Sequence, residues 1–198
     1  MQRSLELKGL VAALLVAASM LFSMTRNSAA QEQKQEQKEE QKPPALPLPE
    51  MQRLSKLYLG TWTYTETYPK SAFSTAGGVN TGIYTSELGP GGNSIINHFH
   101  SKGPVGEFEG LMVMTWDPKE KSYKAYVFGD SFPSAVVEAG QWEGDVLVYR
   151  FEFSAGPTKF ALRNATKFLE GGKLTSDEFS SANGAPETLL VHVEATKK

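Results

Sequence analysis

Residues 146–168 read VLVYRFEFSAGPTKFALRNATKF. In the first half Leu147, Tyr149, Phe151 and Phe153 fall on one parity, and Val148, Arg150 and Glu152 on the other. After Gly156-Pro157, Phe160, Leu162, Asn164, Thr166 and Phe168 oppose Lys159, Ala161, Arg163 and Lys167. Successive side chains of a strand point to opposite faces, so the stretch is a pair of strands with one apolar face and one wet face.

The same rhythm extends in both directions. From Leu57 onward, short runs rich in aromatic and β-branched residues are cut by Gly89-Pro90-Gly91-Gly92, Gly103-Pro104, Asp117-Pro118-Lys119, Glu143-Gly144-Asp145, Glu170-Gly171-Gly172 and Asn183-Gly184. About ten strands fit between these cuts at the ~8–12 residue spacing of a meander. Short connections exclude the long crossovers of a sandwich, and closure removes exposed edges. The fold class predicted is all-β, a ten-stranded antiparallel up-and-down β-barrel. Only PEMQRLSKL, residues 49–57, has helical spacing, with Met51, Leu54 and Leu57 on one side, so a short N-terminal helix precedes the barrel.

Residues 1–30 are laid out as a secretory signal peptide: a charged start, an apolar run from Gly9 to Met24, and Ser28-Ala29-Ala30 before Gln31. The run falls short of the ~20 residues of a spanning helix, so no membrane contact is expected after cleavage. Residues 31–50 alternate Gln, Glu and Lys and then turn proline-rich, the composition of a disordered linker. Residues 51–198 form the one domain, in a chain expected to be secreted into the periplasm. The chain has no cysteine, which excludes disulfides, thiolate metal sites and a cysteine nucleophile. A net charge of -2, with Lys and Arg scattered, excludes an electrostatic nucleic-acid footprint.

The residues also carry a resemblance. GTWTYTE from Gly60, GPVGEFEG, TWDPKEKSYKAYVF and GQWEGDVLVYRFEF together resemble secreted bacterial proteins of the domain of unknown function 1579 family, a lipocalin-like group. The likeness spans Leu54 to Lys198 and implies a lipocalin- or fatty-acid-binding-like barrel whose Trp62 closes the floor; it implies no activity. A second resemblance, through Gly60-Thr61-Trp62 and Tyr68-Pro69, is to nitrobindins, which are haem barrels. That likeness makes haem the alternative cofactor and His192, in the last strand, its alternative ligand. The alternation of Leu189, Val191 and Val193 against Leu190, His192 and Glu194 places His192 on the outer face instead.

A barrel with an apolar inner face suits a small hydrophobic or amphipathic ligand, without any cofactor, and the candidate binding residues follow from position. Tyr64, Tyr126 and Tyr149 bring ring surface and a hydroxyl, and Asn164 sits among the apolar residues of its strand. Glu66 shares parity with Trp62 and Tyr64, and is either inside or at the rim. His98 and His100 share one face of SIINHFHSKG, and are expected to serve at most as hydrogen-bonding anchors at the barrel mouth. The alternative reading makes them two ligands of a metal, which lacks an evident third. An enzyme pairing Glu66 with His98 or His100 is a further alternative, although no nucleophile elbow, phosphate loop or helical zinc motif is present. Trp62, Trp116 and Trp142 are expected to pack in the core. The identity of the guest and the oligomeric state are not written in the sequence.

Overall fold

A computed structural model describes residues 47–71, 74–130 and 134–198. The signal peptide and most of the linker expected over residues 1–50 lie outside the described residues. The helix, α1, runs Pro49–Tyr58 and so begins within the last residues assigned to the linker. Proline suits its first turn, because φ is already helical there and no N–H is needed.

Ten strands follow: β1 Gly60–Tyr68, β2 Gly78–Leu88, β3 Ser94–Gly103, β4 Gly106–Asp117, β5 Ser122–Gly129, β6 Val136–Glu143, β7 Val146–Ala155, β8 Thr158–Leu169, β9 Lys173–Ala182 and β10 Thr188–Lys197. Each pairs antiparallel with its sequence neighbours, and β1 pairs with β10, so the sheet is a closed barrel in simple up-and-down order. The quoted stretch is β7 and β8, with Tyr149 opposite Asn164 and Phe151 opposite Leu162 on the inner face. The connections are tight. Gly171 and Gly172, between β8 and β9, have φ of 71° and 67°, a region that residues with a Cβ rarely adopt.

One end of the barrel is plugged by α1. Met51, Leu54 and Tyr58 pack against Ile95, Met114, Tyr123, Ala125 and Leu147, and Leu54 and Ile95 are fully buried. Burying a leucine of this kind stabilises by ~1.5–3 kcal/mol. The Trp62 indole N–H donates to the Tyr58 carbonyl at 2.8 Å and the Tyr123 hydroxyl to the Glu50 carbonyl at 3.1 Å, tying the helix to β1 and β5. Trp62 therefore does close the floor, and it stacks on Tyr84 with ring centroids 5.5 Å apart. Trp116 and Trp142 pack partly buried against the helix-end cluster. The opposite end is the mouth, where fully buried Asn80 holds the β3–β4 turn by donating to the Gly106 carbonyl and accepting from the Val105 N–H.

Candidate ligand-binding cavity

Inward parity brings Tyr64, Glu66 and Tyr68 of β1, Tyr84 of β2, Phe99 of β3, Glu138 of β6, Tyr149 of β7, Asn164 of β8 and Glu178 of β9 to one interior space. Three glycines make room for the rings. Gly82 faces Tyr64, Gly110 faces Phe99 and Gly140 faces Tyr149 across neighbouring strands. A Cβ at any of the three would sit 2.3–2.4 Å from the ring opposite, so each ring lies flat over a bare backbone. This packing fixes the tyrosines without filling the barrel.

The space that results has two chambers. A deep one of about 280 Å³ is lined by tyrosines 58, 64, 84 and 149, by Asn97, Asn164, Thr166 and Ser176, and by Met112, Leu174 and Val193. An outer one of about 470 Å³ reaches the mouth and is lined by Tyr68, Val105, Phe108, Val136, Phe151 and Leu190, together with Ser74, Glu109 and Asp130. Six residues line both chambers and so form a waist between them: Glu66, Phe99, Val127, Glu138, Glu178 and Val191. The outer volume falls in the ~300–1,000 Å³ range of ligand sites.

The polar groups divide into satisfied and unsatisfied. The Asn164 carbonyl oxygen accepts from Thr166 and Ser176, each at 3.1 Å, and those two hydroxyls meet at 2.9 Å. Glu66 accepts from Ser101 at 2.7 Å and from Tyr68 at 3.1 Å. By contrast, the Tyr84 and Tyr149 hydroxyls are buried with no hydrogen-bond partner among the described residues. Buried polar atoms are nearly always paired, and leaving one unpaired costs ~1–3 kcal/mol.

Glu138 and Glu178 are only partly buried because they border open cavity, yet protein surrounds them. Burial, with Glu178 adding repulsion, pushes the Glu138 carboxyl up to about 8. Burial, with Glu66 adding repulsion, pushes Glu178 up to about 7. Burial and then Glu66 push the Tyr64 phenol up to about 12, and burial raises Tyr58, Tyr68, Tyr84 and Tyr149 as well. Carboxyls titrating near neutrality can donate a hydrogen bond when protonated and neutralise a cation when ionised. Among the described residues, no Lys, Arg or His lines either chamber.

Among the residues singled out in the sequence, Tyr64, Glu66, Tyr149 and Asn164 come together here, and Glu66 lies at the waist rather than at the rim. The others do not. His98, His100 and Tyr126 project from the outer wall, since Asn97, Phe99 and Val127 take the inner parity of β3 and β5. His100 Nε2 lies 2.8 Å from Glu107 on the surface, and Tyr126 is 38% exposed. The wall of the barrel thus stands between Glu66 and either histidine, which rules out the acid–base pair. Nor do the described residues include a group of three or more His, Cys, Asp or Glu side chains placed to hold a metal. His192 also faces outward, its Nδ1 2.6 Å from Asp177, so none of the three histidines reaches the interior.

Sequence reasoning missed Tyr84, Glu138 and Glu178. Their signal was available in part: Glu138 shares parity with Val136 and Trp142, and Tyr84 lies two residues beyond a glycine that faces Tyr64. In β9 the inward series Leu174, Ser176, Glu178 and Ser180 is as polar as the outward one, so alternation there has no contrast to read.

No family model matches the chain, and no curated protein matches it. Among solved structures, the crystal structure of Rv2717c from M. tuberculosis is similar with a TM-score of 0.55 at 15% identity, covering 77% of this chain and 99% of that one. The S-type phycobiliprotein lyase CPES from Guillardia theta gives a TM-score of 0.48 at 9% identity, over 74% of this chain and 92% of that one. The first likeness is one of fold alone.

Proposed function

We propose that the barrel binds a small amphipathic molecule, its polar part toward the deep chamber and its apolar part toward the mouth. The observation that carries this reading is an open chamber lined by Tyr84 and Tyr149, two residues whose buried hydroxyls find no partner among the described residues. A barrel packed solid for structural reasons would close over such groups or pair them. The kinds of group support the orientation, because neutral hydroxyls and amides concentrate below the waist, whereas Val105, Phe108, Val136 and Phe151 stand above it with Glu109 and Asp130. Pockets of this type use apolar walls for affinity and a few polar groups for orientation.

Native mass spectrometry of protein purified from its own host tests the proposal directly. The expected spectrum shows the folded chain carrying one organic adduct, lost on acid denaturation. In Tyr149→Phe the guest should bind ~5-fold more weakly, the loss of about 1 kcal/mol that goes with one hydrogen bond. An adduct-free chain that also fails to enhance the fluorescence of the neutral probe N-phenyl-1-naphthylamine would refute the reading.

A further inference from the structure

We propose that the guest's polar part is cationic, a protonated amine seated at the waist among Glu66, Glu138 and Glu178. The inference rests on the cavity being a binding site and adds the chemistry of what it holds.

The three carboxyls come from β1, β6 and β9, and each borders both chambers. Anything passing from the mouth to the deep chamber must go by them. Glu66 already has two hydroxyl donors, Tyr68 and Ser101. Among the described residues nothing donates to Glu138 or Glu178, and no basic side chain lines the space. Three acids gathered without a counter-charge leave one to be supplied from outside. An anionic guest would meet all three with no basic partner, whereas a cation supplies the counter-charge that lets them ionise. A metal is disfavoured because the described residues contain no cluster with metal-binding geometry.

A second observation points to the same guest independently of the acids. Tyr149, only 4% exposed, lines the deep chamber and packs on the helix-end cluster, and its hydroxyl has no partner among the described residues. An ammonium carries three N–H donors. Two can reach carboxylates at the waist while the third meets a phenol oxygen, which accepts as readily as it donates. The faces of Tyr64, Tyr84 and Phe99 around this point add cation–π attraction, which strengthens as water is excluded.

The test compares three guests with one tail: octylamine, octan-1-ol and octanoate, titrated by calorimetry into the full chain at pH 8 in physiological salt. Octylamine should bind with unit stoichiometry at least ~10-fold more tightly than octanol, with octanoate weakest, as expected for charge-assisted hydrogen bonds. Glu138→Gln and Glu178→Gln, singly and together, should each weaken octylamine, the pair by at least ~10-fold, while octanol stays within ~2-fold; the single variants cover the case in which the pair fails to fold. Octanol or octanoate binding as tightly as octylamine would overturn the cationic assignment and leave the cavity a binding site. If none of the three binds, the binding-site reading falls and this inference with it.

Discussion

Glu138 hangs from β6 into the cavity, where no described residue donates to it, and its titration is displaced upward by burial and then by Glu178. The sign of the resulting pH dependence follows from proton counting. Between its ordinary value of 4.5 and about 8 the folded chain holds a proton that the unfolded chain has released, so stability falls as pH rises through that window. The contribution is fully present below 4.5 and lost above about 8. Glutamine mimics the protonated acid at all pH values. Glu138→Gln should therefore melt close to the parent at pH 5 and roughly 3 °C higher at pH 8.5, the shift made by ~1 kcal/mol in a chain of this size once hydration of the open cavity is allowed for. Differential scanning calorimetry at the two pH values decides it: an equal offset at both would show that Glu138 ionises freely in the folded chain. Relief of Glu178 adds to the same trend, since its own titration lies at about 7.

Strands differ in how far their sequences disclose their faces. β7 and β8 are legible because aromatic and charged residues alternate, and their inner series is the one found. β5 is not: Tyr123, Ala125 and Val127 oppose Lys124, Tyr126 and Phe128, with an aromatic on each side, and only its register with β4 and β6 decides which faces in. In β3 the histidines share parity with Ile96 while Phe99 shares parity with fully buried Ile95, so composition alone leaves the faces open. Helix α1 was legible from Met51 and Leu54, but its role as a plug was not, because that depends on contacts with β3, β4 and β7. The plug makes a prediction at this scale. Leu54→Ala should cost ~2–4 kcal/mol by urea denaturation, a cavity left in a packed cluster. Arg53→Ala, which loses the guanidinium 3.8 Å over the Trp142 ring, should cost under ~1 kcal/mol. Equal small effects from both would mean that the helix is not part of the cooperative unit.

The molecule as a whole depends on the seam where its last strand meets its first. β10 pairs with β1 from Trp62 opposite Lys197 to Thr67 opposite His192, and with β9 on its other side. It also supplies Val191 to the waist, Val193 to the deep chamber and buried Ala195 to the cluster around Trp62. The order of the strands was legible from short connections, because an up-and-down meander with a buried inner face has few other ways to end. The closure itself was an inference about edges: an unpaired β1 and β10 would each present a row of free N–H and C=O groups, and removing β10 leaves β1 and β9 in that position. Deleting residues 188–198 turns that inference into a measurement. The truncated chain should keep much of its far-UV circular dichroism, lose the near-UV signal of its packed aromatics, bind 1-anilinonaphthalene-8-sulfonate and self-associate through the two open edges. A monomeric truncated chain with native near-UV ellipticity would show that nine strands hold the fold, and that β10 closes the cavity without holding the barrel together.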